Sequence, residues 1–243
     1  MHIDLNADLG EGGPCDAELL TLCSSANISC GVHAGDADTM ATAIRLAVSR
    51  GVRIGAHPSF PDREHLGRRN MQLPFASLRN HLLYQLGAID LLARTQNARL
   101  SHIKPHGALY NQAAVDRELA ESLVFIFQEF DPSLALMTLA GGELEYAGRQ
   151  AGLQVIAEGF ADRRYTLFGT LLPRSEPGAV IHDSAEAVAQ SLQMIREQTV
   201  TANDGTPIRV RADSLCIHGD TPEALQLARS LHEAFHNAGI QVR

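Results

Sequence analysis

Six short apolar segments of this chain each end on a charged or imidazole side chain, usually beside Gly, Ala or Pro. The side chains at these ends are Asp, Glu, His and Lys, which transfer protons and stabilise charge in enzymes. In proteins built from repeated βα units, the carboxyl ends of parallel strands meet on one rim, where the chemistry takes place. The six segments therefore predict one polar site. They span residues 3–8, 28–33, 54–57, 103–106, 155–158 and 215–218.

Polar and apolar residues alternate within these segments. Successive strand side chains point to opposite faces of a sheet, so Asn6 and Asp8 share one face, as do Lys104 and His106. Each unpaired polar group buried against a helix would cost roughly 1–3 kcal/mol. The polar face is therefore predicted to line a wet pocket. That placement favours a closed or nearly closed barrel over an open sheet.

The first two segments supply carboxylates, an amide and an imidazole. Asn6, Asp8 and Glu11 cluster at the end of the first strand, where they could bind a metal or provide a general base. Asn6 and Glu11 are also predicted substrate contacts. In the alternative interpretation, Asp8 caps a loop and Glu11 is solvated. His33 and Asp36 follow the second strand and are predicted to contact substrate.

His57 ends the third segment and precedes Pro58, which forces an extended backbone at the rim. We predict a catalytic role for His57 together with Asp8. Asp8, His33 and His57 are also the candidate metal ligands. Zinc needs three or four such ligands, and the sequence predicts no firm metal site.

Residues 104–111, Lys-Pro-His-Gly-Ala-Leu-Tyr-Asn, hold the densest group of reactive side chains. An unpaired buried ammonium is costly, so we expect Lys104 beside an acid or an anionic substrate; a purely structural ion pair is the alternative. Lys104 is predicted to bind an oxyanion, and His106 to move a proton. Tyr110 and Asn111 are predicted substrate contacts.

The remaining candidates follow the last two segments. Arginines in the long loop after the sixth strand can fork onto carboxylate or phosphate oxygens, although exposed arginines are often only solvated. After the last strand, Asp220 either orients His218 or caps the following helix. The predicted substrate contacts in this part are Glu158, Asp162, Arg163, Arg174, His218 and Asp220.

Composition and motifs exclude several classes of protein. A net charge of −8 with no basic block argues against a nucleic-acid surface. No apolar run approaches 18 residues and the N-terminus opens directly into a strand, so we expect no signal peptide or membrane span. Four cysteines without a CxxC pair indicate a reduced, cytoplasmic protein. Cys30 is either a nucleophile or a small core residue. Neither a glycine-rich phosphate loop nor a GxSxG nucleophile is present.

Alternating strand and helix signals across residues 1–243 predict a single α/β domain with a parallel sheet. Asp38 and Thr39 are candidate caps of the second helix, and His232 and His236 are interpreted as helical residues without a function. The loops 58–74 and 159–177 are long and expected to be functional. The predicted strands are 2–8, 26–31, 52–57, 100–105, 134–139, 154–158 and 213–218. The predicted helices are 16–25, 38–50, 75–97, 107–129, 142–151, 183–197 and 222–238.

Eight segments together resemble the LamB/YcsF family along essentially the whole chain. One difference is the short segment 13–16, where the family pattern has a longer loop. The matching segments are 4–12, 26–36, 54–58, 67–69, 102–111, 158–163, 174–183 and 216–221.

The resemblance implies a single-domain (β/α)7 barrel related to polysaccharide deacetylases. It also implies the A subunit of the bacterial ATP-dependent 5-oxoprolinase, which works with subunits B and C. That enzyme converts 5-oxo-L-proline, ATP and water to L-glutamate, ADP and phosphate, with ATP as co-substrate together with Mg²⁺. Phosphorylation of the amide oxygen would activate the stable lactam, and acids, imidazoles and cations on the rim suit that chemistry.

Two other functions stay open from the residues alone. A stand-alone metal-dependent amidase or deacetylase would use the Asp and His side chains of the rim as metal ligands. A non-catalytic regulatory or carbohydrate-binding subunit would tolerate changes to the rim. Because no phosphate loop is recognisable, ATP could be held by this chain or by a partner subunit.

Overall fold

Seven parallel strands close into a barrel in the computed structural model, which describes residues 1–218 and 224–243. The barrel consists of β1 to β6 and β9, and β7, β8 and β10 are additional short strands of the described residues. The bounds are β1 (His2–Leu9), β2 (Ser25–Ser29), β3 (Arg53–His57), β4 (Leu100–Ile103), β5 (Ala135–Leu139), β6 (Val155–Phe160), β7 (Thr199–Thr201), β8 (Pro207–Arg209), β9 (Ser214–His218) and β10 (Gln241–Val242). Strands β1 to β6 lie side by side in chain order, and β9 pairs in parallel with both β6 and β1. The predicted (β/α)7 barrel is confirmed.

Helices surround the barrel between successive strands. They are α1 (Asp16–Leu19), α2 (Ala37–Arg50), α3 (Phe75–Thr95), α4 (Gly107–Ala113), α5 (Arg117–Phe130), α6 (Glu143–Gln150), α7 (Ser184–Glu197) and α8 (Ala224–Asn237). The short strands β7 and β8 form an antiparallel hairpin, and β10 pairs in parallel with the start of β1. In the described part of the chain, no helix combines the length and apolar character needed to cross a membrane.

Strand parity separates an apolar outer face from a polar inner face. On β1, Leu5 and Ala7 are fully buried in the core beneath the helices, while Asn6 points into the barrel. The inner face differs from the wet pocket that the sequence predicts. Its lower part is a closed hydrogen-bonded network of buried Asp, Asn, Ser and His side chains, and the polar groups of that part are paired with one another. The upper part opens to a cavity.

Two predicted helices are wrong in extent. The helix predicted over 107–129 is interrupted after Ala113, because Asp116 leaves the helix and its side chain accepts the backbone N–H of Leu119 to start α5. The helix predicted over 16–25 ends at Leu19. Ser25 is already the first residue of β2, where it pairs with Asn6 of β1.

The cap of α2 also differs from the prediction. Asp36, rather than Asp38 or Thr39, is the N-cap residue, and its carboxylate accepts hydrogen bonds from the backbone N–H and the hydroxyl of Thr39. This pairing is the usual role of an Asp side chain at the start of a helix.

Candidate active site

Lys104 lies immediately after β4, beneath the rim, in contact with two carboxylates. Its Nζ is 2.8 Å from Oδ1 of Asp8 and 2.8 Å from Oε1 of Glu158. Burial alone would lower the pKa of Lys104, but the nearby Asp8, Cys216 and Glu158 raise it well above its ordinary value. The ammonium is therefore charged. The prediction that Lys104 lies beside an acid is confirmed, since both Asp8 and Glu158 contact it.

The donors of Lys104 are largely used within the protein. An ammonium has three N–H bonds. Two point to the carboxylates, and the remaining neighbours are Sγ of Cys216 at 3.3 Å and Oδ1 of Asn6 at 3.4 Å. In this arrangement Lys104 fixes the position of Asp8. The role predicted from sequence, direct binding of an oxyanion, would require one of these contacts to open.

Lys104 is also the single lysine of the chain, since every other residue among the 20 Lys and Arg is Arg. A guanidinium is planar and larger than an ammonium, and it does not fit a compact three-donor site in the same way. The count is a signal that was available in the sequence. It distinguishes Lys104 from the 19 arginines of the chain.

Glu158 is held from two sides at the bottom of the site. Its Oε1 accepts a hydrogen bond from Nδ2 of Asn6 at 2.9 Å, and its Oε2 accepts one from the hydroxyl of Tyr110 at 2.7 Å. Burial, with the Glu158 charge added, raises the pKa of Tyr110 well above its ordinary value. Tyr110 is therefore a neutral donor that positions Glu158.

One row across the barrel connects Asp8 with three residues that the site prediction missed. Asp8, Asn27, Gly55 and His102 are partners in successive strand registers. The amide nitrogen of Asn27 donates to Asp8 at 2.8 Å, and its oxygen accepts from Nε2 of His102 at 2.7 Å. Burial lowers the pKa of His102 to about 4, so its ring is neutral.

Gly55 makes that row possible. A Cβ at this position would lie 2.1 Å from Nε2 of His102, so His102 crosses β3 only because Gly55 has no side chain. The sequence signal was indirect: Gly55 sits on the same strand parity as His57 and carries no polar group of its own.

Three imidazoles and a carboxylate form a second group on the rim, adjacent to Asp8. Nε2 of His57 lies 2.9 Å from Nδ1 of His106 and 3.3 Å from Oδ2 of Asp8. Oε1 of Glu11 lies 3.0 Å from Nε2 of His33 and 3.3 Å from Nδ1 of His106. The rings of His33 and His106 stack with their centroids 3.7 Å apart. We call Glu11, His33, His57 and His106 the imidazole cluster.

Burial and the carboxylate set the charge states in the imidazole cluster. Burial lowers the pKa of His33 to about 4 and also lowers that of His106. Burial alone would raise the pKa of Glu11, but hydrogen bonds from His106 and His33 outweigh it and hold that pKa well below its usual range. The cluster thus combines a carboxylate with three imidazoles, a donor set that suits either proton transfer or a metal ion.

A cavity of about 860 Å³ opens above Lys104 and the imidazole cluster. The loops 58–74 and 159–177, predicted to be functional, both border it, the first through Arg68 and the second through Arg163 and Arg174. Burial, with Arg174 nearby, lowers the pKa of Arg163 to about 10, which leaves it a cation at neutral pH. The predicted residues in the cavity wall are Asp8, Glu11, His57, Lys104, His106, Tyr110, Asn111, Arg163 and Arg174.

Other predicted residues lie elsewhere. Asp36 is exposed at the start of α2 and caps that helix. Asp162 is buried in the loop after β6. The backbone of His218 ends β9, and Asp220 lies outside the described residues. Burial raises the pKa of Cys30 to about 12, which favours its interpretation as a small core residue over a nucleophile.

Two histidine pairs have spacings typical of metal sites. His232 and His236, with Glu233, match the zinc-binding HExxH pattern. They lie on the outer helix α8, and within residues 1–218 and 224–243 no group of three metal-ligand atoms forms there. His102 and His106 are four residues apart, but His102 faces Asn27 while His106 joins the imidazole cluster.

This fold and this site define an α/β-barrel protein with an acid–base rim. The LamB/YcsF family model matches residues 3–243, so the chain belongs to the LamB/YcsF family. Its sequence is 44% identical to that of the lactam utilization protein from Thermus thermophilus, with a TM-score of 0.92. That match covers 100% of this chain and 99% of the other.

More distant structures share the fold alone. A T48 deacetylase is 13% identical with a TM-score of 0.53, and the match covers 100% of this chain and 87% of that one. The family 4 carbohydrate esterase from Streptomyces lividans is 10% identical with a TM-score of 0.53, over 99% of this chain and 91% of that one. The predicted similarity of this fold to deacetylase barrels is confirmed.

Proposed function

We propose that this chain is the A subunit of an ATP-dependent 5-oxoprolinase. It would bind 5-oxo-L-proline in the rim cavity and carry out the opening of the lactam ring, with ATP and Mg²⁺ supplied to a complex with subunits B and C. The observation that carries this proposal is the 44% identity, over the full length, to a lactam utilization protein.

The cavity suits a small anionic lactam and an activated form of it. Arg163 and Arg174 lie in one wall, and their mutual repulsion would be relieved by an anion. We assign them to the carboxylate of 5-oxoproline. Pockets of this volume accommodate ligands larger than a five-membered ring, so space remains for a phosphoryl group on the lactam oxygen.

The acid–base groups suit the ring opening. Transfer of the γ-phosphoryl group of ATP to the lactam oxygen makes the attached carbon electrophilic. Water then adds to that carbon and gives a proton to a base, for which Asp8, held by Lys104 and Asn27, is the candidate. The C–N bond breaks as the ring nitrogen takes up the proton that Asp8 accepted from the water. The resulting acyl phosphate is hydrolysed by a second water to glutamate and phosphate.

Reconstitution tests this proposal. This chain, subunits B and C of a 5-oxoprolinase, and all three together would be supplied with 5-oxoproline and MgATP while glutamate and ADP are measured. We expect both products only from the three-subunit mixture. ATP-independent glutamate release by this chain alone would overturn the proposal.

The imidazole cluster favours a second candidate function, a metal-dependent amidase or deacetylase. Glu11, His57 and His106 have the donor types of a catalytic metal site. This candidate predicts hydrolysis of an amide or acetyl ester without ATP and complete loss of that activity in a chelator.

A further inference from the structure

Donor atoms of the imidazole cluster converge on one point at the rim. The ligand atoms of its four residues all lie within 4.8 Å of one another. Nε2 of His57 is 2.9 Å from Nδ1 of His106, and Oε1 of Glu11 is 3.3 Å from the latter and 3.8 Å from the former. Ligands about 2.0–2.2 Å from a tetrahedral zinc ion are roughly 3.3–3.6 Å apart. The three atoms are thus spaced close to what one such ion requires.

Hydrogen bonds on the far side of two rings fix where their protons are. The carbonyl of Lys104 can only accept, so Nδ1 of His57, 2.8 Å away, carries a proton. The carbonyl of Leu66 likewise requires a proton on Nε2 of His106, 2.9 Å away. The other nitrogen of each ring can then offer a lone pair, and these two nitrogens face each other at 2.9 Å. One cation between them can accept both lone pairs.

A single shared proton does not satisfy the group. If Nε2 of His57 carried it, the Glu11 carboxylate would face the lone pair of His106 at 3.3 Å. If Nδ1 of His106 carried it, Oδ2 of Asp8 would face the lone pair of His57 at 3.3 Å. One acceptor–acceptor contact remains in either case. A metal ion accepts all of these electron pairs at once.

Each donor also has the outer partner that metal ligands usually have. Ligating imidazoles commonly donate their other N–H to a carbonyl, and ligating carboxylates are themselves hydrogen-bonded. His57 and His106 donate to backbone carbonyls, and Nε2 of His33 lies 3.0 Å from the Glu11 carboxylate. The side chains are therefore oriented before any ion arrives.

We propose that Nε2 of His57, Nδ1 of His106 and the Glu11 carboxylate bind one divalent transition-metal ion, for which Zn²⁺ is the best match, and that His33 positions Glu11. Two imidazoles and a carboxylate leave a coordination position open toward the cavity. This proposal stands on the cluster's geometry and holds whether or not the chain acts on 5-oxoproline.

Metal binding is tested on the tag-free full chain, independently of activity. Protein stripped with chelator is titrated with Co²⁺ while visible absorption is recorded, and Zn²⁺ is then added as competitor. We expect one equivalent of Co²⁺ per chain, with d–d bands that Zn²⁺ removes. A wild-type protein that binds no stoichiometric Co²⁺ or Zn²⁺ would overturn the proposal and leave a proton-only cluster.

Matched variants separate the cluster from adventitious binding. Glu11→Gln and His106→Gln should lose the stoichiometric site, and His33→Asn should weaken it by about 10–100-fold, as is usual for outer partners of a ligand. His81→Asn, on the outer helix α3, is the control and should bind like wild type. Circular dichroism verifies folding, and Glu11→Gln keeps the shape of the side chain. Wild-type affinity in both Glu11→Gln and His106→Gln would contradict the assignment.

Discussion

The ammonium of Lys104 and the carboxylate of Glu158 lie 2.8 Å apart in the barrel interior, and both side chains are almost fully buried. Breaking a buried ion pair by removing one member leaves an uncompensated charge, which is far more damaging than its surface equivalent. Lys104 also contacts Asp8 on the rim. The Lys104–Glu158 pair therefore connects the stability of the barrel interior to the position of Asp8.

Removal of the ammonium should affect stability and turnover together. Lys104→Met leaves Asp8 and Glu158 without their counter-charge, so we expect a loss of about 3–5 kcal/mol in the free energy of unfolding. We also expect turnover to fall at least about a hundredfold. Lys104→Arg should not restore turnover fully, because a planar fork does not replace a compact ammonium. Urea denaturation and the three-subunit assay measure the two effects.

A paired variant separates these effects. Lys104→Met combined with Glu158→Gln should recover part of the stability and none of the turnover, since the stranded Glu158 charge is removed while Asp8 still lacks its partner. Turnover of Lys104→Met within about threefold of wild type would make Lys104 a structural ion pair alone.

The state of Lys104 can be measured by amine chemistry, because it is the chain's single lysine. The raised pKa of Lys104 keeps the amine protonated at pH 8 to 9, and burial blocks access to it. An acylating reagent should therefore modify the native chain once, at the α-amino group, and the unfolded chain twice. Mass spectrometry counts the modifications. Rapid double labelling of the native chain would contradict the buried, charged Lys104.

A methyl group at Gly55 should disrupt the row from Asp8 to His102. In Gly55→Ala the new Cβ would overlap the His102 ring, so we expect a destabilisation of about 3 kcal/mol, the upper end for overpacking. Gly87→Ala is the matched control, because Gly87 lies on the exposed side of α3 and a methyl group there would have no atom within 4 Å. It should stabilise the chain by about 0.5–1 kcal/mol. Equal thermal stability of the two variants would show that the His102 side chain can adopt another conformation that avoids the new methyl group.

The barrel could be predicted from sequence because the pattern of polar and apolar residues that produces it repeats along the chain. Apolar runs ending on polar residues mark the strands, and the parity of Asn6 and Asp8 correctly indicates an inward face. The strand boundaries in the structure differ from the predicted ones by one or two residues. The helix predicted over 107–129 was too long, because a single capping contact from Asp116 divides it in two.

The site was less predictable because contacts across the barrel depend on strand register. Glu158, predicted from sequence as a substrate contact, also pairs with Lys104 on a distant strand. Asp36 was grouped with the rim although its backbone already starts α2. The place of Glu11 among three imidazoles depends on the path of the loop after β1, which no local pattern fixes.

Asp8→Asn should abolish turnover while the barrel stays intact. Loss of a positioned general base typically lowers the rate by about 10²–10⁴-fold, and an amide keeps the shape of the carboxylate. Asp36→Asn is the control, since Asn is an equally good helix cap and Asp36 is exposed. Circular dichroism and steady-state rates are the readouts. A folded Asp8→Asn variant with wild-type turnover would remove Asp8 from the chemistry.

The most direct measurement is the yield of glutamate per ADP in the three-subunit mixture, made with wild-type chain, with Asp8→Asn, and without this chain. If the ring opens in this chain's cavity, wild type gives one glutamate for each ADP, and glutamate formation is lost in the other two mixtures. Glutamate formed at the wild-type rate with Asp8→Asn, or with the chain omitted, would place the lactam chemistry outside this barrel.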